Sequence, residues 1–260
     1  MLGIHNGYEK RDTVKNTQKL QTRQARPSFA HLSACKSMLR CTQSVLETHE
    51  NYKNTMDYTT LATQETIDAT MQALVSHGFK VSIVDTKEQA LEAIKRMIPA
   101  GASVMNGSSV TLEQIGFVDY LASGAHSWNN LHAAVLAEKD QAKQAMLRKQ
   151  AVLSDWYLGS AHAVSKSGEL VLGSNSGSQL PHIMYTSPHV LLVVSTKKIV
   201  PTLRDAIERL ESYVVPLEDK HMHEKYNIAT ALNKEVIFRG ENQKSGRDVN
   251  ILFVKKPLGF

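Results

Sequence analysis

The 260-residue chain contains only two cysteines, Cys35 and Cys41, and both lie within its first 55 residues. The remainder therefore has no disulfide, no thiolate nucleophile and no cysteine ligand for zinc or an iron–sulfur cluster. Such scarcity fits a reducing compartment. It excludes reactions in which residues 56–260 hold their own cluster through cysteine.

Long apolar stretches are also absent. No segment approaches the ~18 apolar residues that a membrane span needs. The opening residues, MLGIHNGYEKRD, lack the apolar region of a secretory signal. We therefore expect a cytoplasmic protein without a membrane partner.

The net charge of +5 is unevenly distributed. Residues 1–55 carry nine Lys or Arg and four Asp or Glu, so they hold the whole excess, and the remainder has 21 residues of each sign. A neutral body lacks the broad positive field that attracts nucleic acid. We predict no nucleic-acid partner.

The first 55 residues differ from the remainder in composition. They are rich in Gln, Thr, Lys, Arg and Asn and show no sustained hydrophobic period, which predicts disorder. Alternatively they lie upstream of the native start, because Met56 stands just before a clear helix signal. A targeting peptide fits less well, since acidic residues occur early and arginines are not concentrated. We predict a disordered or mis-assigned extension over residues 1–55 and one domain over residues 56–260.

Strand and helix patterns alternate through the predicted domain. Apolar residues recur at helical spacing after Thr63, and the continuous run VLLVVS at 190–195 is typical of a strand buried on both faces. We also predict single helices over 112–121, 131–150 and 201–213. This alternation predicts an α/β fold, a three-layer sandwich around a mostly parallel sheet, in which ligands bind beyond the carboxyl ends of the strands.

One polar loop, NGSSVTLEQIG, follows a predicted strand and precedes a predicted helix. Free backbone amides at a helix start attract phosphate or carboxylate groups. The alternative is an ordinary turn with a serine cap. The candidate ligand-binding residues are Asn106, Gly107, Ser108, Ser109 and Thr111.

A second loop, GSAHAVSKSGE, carries the candidate catalytic residues and Ser160, a candidate ligand-binding residue. His162 is a candidate general acid or base near neutral pH, or else a hydrogen-bonded structural histidine. Glu169 directly follows a glycine. It is a candidate nucleophile or base, or else a solvated residue at a strand start.

The third loop, GSNSGSQLP, begins and ends beside apolar segments. Small residues allow close approach of the backbone, and successive amides can form an anion-binding concavity. A flexible hairpin loop is the alternative. The candidate ligand-binding residues are Ser174, Ser176, Gly177, Ser178 and Gln179.

Two further polar clusters are assigned to structure. His221 and His223 flank Met222, but residues at i and i+2 do not share a helix face, so we predict a solvated helix and no metal site. Lys197 and Lys198 are interpreted as the polar tip of a turn between a strand and a helix, and contact with a ligand phosphate is the alternative.

Four segments in the same order resemble one known family. NGSSVTLEQIGF, SDWYLGSAHAVSKSGELVLGSNSGSQLP, TKKIVPTLRDAIERLESYVVPLED and ILFVKKPLGF are similar to the LUD domain, the lactate-utilisation family of LutC and YkgG proteins, in its short stand-alone branch. The resemblance covers about residues 56–260. It implies the fold shared by ribose-5-phosphate isomerase, glucosamine-6-phosphate deaminase and the CoA transferases. In those relatives a Gly-Ser-Thr loop after a strand holds a phosphate or carboxylate.

The resemblance implies a role linked to the utilisation of lactate or related 2-hydroxy and 2-oxo acids. We expect an unidentified small anionic ligand in a pocket lined by Ser and Gly, and no cofactor held by the chain's own ligands. Electron carriers for lactate oxidation would then lie on iron–sulfur oxidoreductase subunits. One alternative is a non-catalytic scaffolding subunit of such a complex. Another is acyl or CoA transfer through Glu169, although the motif around it differs from that of the CoA transferases. The oligomeric state stays open.

Overall fold

A computed structural model describes residues 56–260, and the predictions for residues 1–55 lie outside the described residues. Short 3-10 or π turns link several of the regular elements. The helices are α1 (Gln64–Ser76), α2 (Lys87–Met97), α3 (Val110–Gln114), α4 (Phe117–Ser123), α5 (Leu131–Ala137), α6 (Gln141–Gln150), α7 (Leu203–Arg209) and α8 (Val215–Tyr226). The strands are β1 (Lys80–Val84), β2 (Ser103–Asn106), β3 (Asn129–Asn130), β4 (Trp156–Gly159), β5 (Ala163–Ser165), β6 (Leu170–Ser174), β7 (His189–Ser195), β8 (Ile199–Val200), β9 (Lys234–Phe238) and β10 (Asp248–Val254).

Threonine side chains begin three of these helices. Thr63 accepts a hydrogen bond from the backbone N–H of Thr66, as expected from the sequence. Thr86 and Thr202 each form a reciprocal capping box with the residue three positions later. These caps pair amides that the first helical turn leaves free.

The large sheet has six strands in the order β1-β10-β7-β4-β2-β3, and every neighbouring pair is parallel. The most apolar strand, β7, lies near its centre. In the strand register, Leu192 of β7 pairs with Ile251 of β10 on one side and with Gly159 of β4 on the other. The sheet is flanked by helices, so the predicted α/β sandwich with a mostly parallel sheet is confirmed.

Side chains alternate between two cores along the central strands. Leu191 and Val193 belong to the core under α2, α3 and α4, whereas Leu192 and Val194 belong to the core shared with α1 and a smaller sheet. Both faces of β7 are therefore dry, as its continuous apolar run predicts.

That smaller sheet was not predicted. It has the order β8-β5-β6-β9, with β5 antiparallel to β6 and parallel to β8. Its outer face packs against α7 through Val171, Ala206 and Leu210. The segment expected to be one polar loop before Glu169 thus contains a buried strand, β5.

The three single helices predicted from the sequence are interrupted. The first breaks at Gly116, which has a φ of 78°. The second breaks before Asp140, whose side chain accepts from the N–H of Lys143 and starts α6. The third changes to a π-helical turn at Leu210 and continues through α8.

Three adjacent strands, β7, β4 and β2, run in the same direction. Their carboxyl ends, at Ser195, Gly159 and Asn106, therefore open on one edge of the sheet. Across residues 56–260, no helix combines the length and the apolar character that crossing a bilayer requires.

Candidate functional site

A cavity of about 810 Å³ lies at the carboxyl ends of β2, β4 and β7. Ser108, His162 and Ser176, one from each predicted loop, all line it. The three polar loops therefore meet, although the first is distant in the chain from the other two. The predicted site residues on the lining are Asn106, Gly107, Ser108, Ser109, Thr111, Ser160, His162, Ser174, Ser176, Ser178 and Gln179.

Lys198 is a buried lysine on the cavity lining, whereas the sequence analysis favoured the polar tip of a turn for it. The residue is 4 % exposed, and its Nζ donates to Thr111 Oγ1 at 3.2 Å, Ser160 Oγ at 3.1 Å and the carbonyl oxygen of Ala161 at 3.1 Å. All three partners are neutral. Burial, with smaller effects from the charges of Arg209 and Lys197, lowers the pKa of Lys198 well below its ordinary value.

The buried charges of the described part of the chain are all positive. Lys197, Lys198 and Arg209 are buried, whereas no Asp or Glu of residues 56–260 is. Lys197 donates to the carbonyl oxygen of Gly259 at 2.7 Å, and Arg209 donates to that of His162. Buried cations without a carboxylate partner leave a positive potential that favours an anion.

Arg209 lies behind His162, packed near the rings of Tyr58 and Tyr213. Its Nε and Nη2 have no hydrogen-bond partner. Burial lowers its pKa to about 10, so the guanidinium stays charged at neutral pH. This charge adds to the positive potential at the cavity.

His162 is a neutral imidazole. Burial, together with the charges of Lys198 and Arg209, lowers its pKa to about 3. Its Nδ1 accepts the backbone N–H of Gly173 at 3.0 Å, so the proton resides on Nε2. The hydrogen bond with Gly173 fits the structural alternative given for this histidine, and its role as a general acid or base stays a prediction.

Asn106 ends β2 on the floor of the cavity. It is 4 % exposed; its Nδ2 donates to the carbonyl oxygen of Gly107 at 3.2 Å, and its Oδ1 has no partner. An unpaired buried acceptor favours a ligand that brings a hydroxyl or N–H donor.

The small residues serve close packing rather than display of amides. A Cβ on Gly107 would lie 2.4 Å from the hydroxyl oxygen of Tyr157. The N–H of Gly107 donates to the carbonyl oxygen of Leu158, and the N–H of Gly177 donates to Ser174 Oγ at 2.8 Å. The expectation of free amides aimed at an anion is therefore wrong at these two positions, because the loops pair them internally.

The third loop is held rather than flexible. Ser174 Oγ donates to Gln179 Oε1 at 3.0 Å, and Gln179 Nε2 donates to the carbonyl oxygen of Gly173 at 3.2 Å. Gly177 turns away from the cavity with a φ of 84° and faces the side chain of Lys234. It is not on the lining.

Glu169 also lies outside the cavity lining. Its Oε2 accepts from Ser165 and Ser167, and its Oε1 lies 3.4 Å from Arg239 Nη1. Burial raises the pKa of this carboxyl, but the serine hydrogen bonds, its own backbone N–H and Arg239 outweigh that effect and lower it overall. Glu169 thus stabilises the β5–β6 turn, and acyl transfer through it has no support from its position.

His182 was overlooked in the sequence because it follows a proline inside a serine-rich segment. It is 2 % exposed, stacks on Tyr157 with ring centroids 4.5 Å apart, and contacts Ser154 and Ser187 through Nδ1. Burial lowers its pKa to about 4. The remaining ionisable side chains on the lining include His132, Arg148, Glu218 and Tyr226.

No three His, Cys, Asp or Glu side chains of residues 56–260 come close enough together to hold a metal ion. His221 and His223 lie on α8, as predicted, and each approaches a carboxylate of the same helix.

The fold is that of an α/β protein with a cavity at the carboxyl edge of a parallel sheet. The sequence model of the LUD domain matches residues 67–251, and the chain belongs to the LUD domain family. A crystal structure of a DUF162 family protein from Deinococcus radiodurans is similar, with 11% sequence identity and a TM-score of 0.46 over 75% of this chain and 99% of that chain. No curated protein matches this chain.

Proposed function

We propose that this LUD-domain protein binds a small organic anion of the 2-hydroxy or 2-oxo acid class in the cavity, and that this binding links it to lactate utilisation. The observation that carries the proposal is Lys198, a buried cation on the cavity wall whose partners are all neutral oxygens. A bound carboxylate supplies the missing counter-charge.

The neighbouring polar groups match the other end of such an acid. The unpaired Oδ1 of Asn106 accepts from a 2-hydroxyl group, and the Nε2–H of His162 donates to a 2-oxo or hydroxyl oxygen. Because Nδ1 of His162 is fixed by Gly173, the ring holds this donor without changing its charge at neutral pH.

The number of cysteines limits the part that the chain itself can take in electron transfer. An iron–sulfur cluster takes about four cysteine ligands, and the whole chain has two. We therefore place any iron–sulfur carrier for lactate oxidation on a partner subunit. A cavity with a buried cation gives no specific support to the alternative that the chain is a purely scaffolding subunit.

Calorimetric titration with L-lactate and pyruvate tests the binding site. We expect the wild-type chain to bind both acids and Lys198→Met to weaken binding about 10- to 150-fold, the equivalent of one hydrogen bond to a charged group, ~1.5–3 kcal/mol. The matched control is Lys166→Met, which removes an exposed lysine from the β5–β6 turn.

Neutral analogues separate charge recognition from shape. Lactamide, which has the hydroxyl but no carboxylate, should bind far more weakly than lactate. Equal affinity of wild type and Lys198→Met for lactate would reject the proposal. Oxidation of lactate by the purified chain with an artificial electron acceptor would show that it is an enzyme without a partner.

A further inference from the structure

The cavity is far larger than a three-carbon acid requires. Its volume of about 810 Å³ lies within the range of roughly 300–1,000 Å³ that holds drug-sized ligands. Lactate or pyruvate bound at Lys198 would leave most of this space to water.

The two parts of the cavity differ in chemistry. Lys198, Thr111 and Ser160 form the charged part near the ends of the central strands. The lining also carries a group of apolar side chains from β6, the π-helical turn, α8 and the segment before β9. They are Leu172, Leu210, Val214, Val215, Met222 and Leu232.

Helix α8 turns a mixed face toward the cavity. Val215, Met222 and Tyr226 line it together with Glu218, and none of the residues of α8 is buried. The three apolar or aromatic side chains of this face therefore keep surface that a ligand in the cavity can cover.

Large exposed apolar side chains also gather at this cavity. Leu136, Tyr226 and Ile228 are 55%, 53% and 51% exposed, and all three are on its lining. Covering such surface stabilises a complex by about 25 cal/mol per Å², so their position favours an apolar occupant.

We propose that the ligand is a longer 2-hydroxy or 2-oxo acid, whose carboxylate binds Lys198 and whose alkyl or aryl group covers the α8 face at Met222 and Tyr226. This inference rests on the proposed function, because it uses the same cation to orient the acid. On this basis, the apolar side chains of the cavity lining determine which chain length of acid the site prefers.

A series of straight-chain 2-hydroxy acids from three to eight carbons tests the inference. Each buried methylene contributes ~0.8 kcal/mol, so the wild-type affinity should rise about fourfold per carbon until the apolar part is filled. Met222→Gln keeps the length of the side chain but makes it polar. It should flatten this dependence.

The control variant is Met146→Gln, since Met146 is an exposed methionine on α6 that is not on the cavity lining. It should retain the wild-type chain-length dependence. Binding of lactate with no gain along the series would overturn the inference and leave the proposed function intact. Failure of every acid in the series to bind would overturn both.

Discussion

Removal of the imidazole at position 162 should change how stability responds to acid. The folded-state pKa of His162 is about 3, against an ordinary value of 6.5 that we take for the unfolded chain. As pH falls below 6.5 the unfolded chain gains a proton that the folded chain does not accept until about pH 3. The folded state therefore loses stability as pH falls through this window.

The size of this loss follows from the two pKa values. Between pH 7 and pH 5 the single histidine costs about 2 kcal/mol of unfolding free energy, at ~1.36 kcal/mol per pH unit once the unfolded ring is largely protonated. The figure barely depends on the folded-state pKa as long as that value stays below about 4. It is large against a total stability of roughly 5–15 kcal/mol for a domain.

Urea unfolding of wild type and His162→Asn at pH 7, 6 and 5 measures the effect. Asparagine retains an acceptor for the N–H of Gly173 but does not titrate. We expect the wild type to lose about 2 kcal/mol more than the variant between pH 7 and pH 5. His223→Asn, at an exposed position on α8, serves as the control and should follow the wild type. Parallel pH dependences for wild type and His162→Asn would refute the assignment of a neutral, buried ring.

Two further predictions concern basic side chains. Because an anion stabilises the protonated form of Lys198, the affinity for lactate should fall as pH rises through the lowered pKa of that lysine. Titration calorimetry from pH 6 to 9 measures this affinity. An affinity that does not change with pH would contradict the role of the lysine charge. Arg247 pairs with Glu241 at 2.8 Å and donates to carbonyl oxygens of the 182–186 turn. Arg247→Met should therefore lower the free energy of unfolding by ~3–5 kcal/mol, as measured with urea. Arg239→Met, at an exposed position, should lower it by at most ~1 kcal/mol. Similar losses in the two variants would contradict a stabilising role of the Arg247–Glu241 pair.

The parallel sheet and the meeting of the three loops were predictable from local patterns. Continuous apolar runs identify strands buried on both faces, and parallel strands bring their carboxyl ends to one edge. The same reasoning missed β5, because Ala163–Ser165 is only three residues long. Its pairing with β8 depends on residues more than thirty positions away.

Lys198 was missed for a different physical reason. Lysine is almost always exposed, and nothing in the local TKK pattern indicates burial. Its burial depends on partners distant in the chain, Thr111 on α3 and the segment at Gly259. A Cβ on Gly259 would lie 2.9 Å from the lysine Nζ, so glycine allows the segment to close over the amine. One signal was present, since the lysine lies only three residues after the carboxyl end of the most apolar strand.

The free-amide hypothesis fails at Gly107 and Gly177, because the loops pair these two amides internally. Ser174 accepts the N–H of Gly177, and Leu158 accepts that of Gly107, so neither amide is available to an anion. Serine and glycine in these loops contribute small volume, which keeps the edge of the sheet open, while the attractive charge comes from a lysine held just beyond β7. An anion site of this kind is selective by the size of the space that the small residues leave. If an anion binds at Lys198 as we propose, a single substitution of this lysine should weaken recognition of the carboxylate about 10- to 150-fold without closing the cavity.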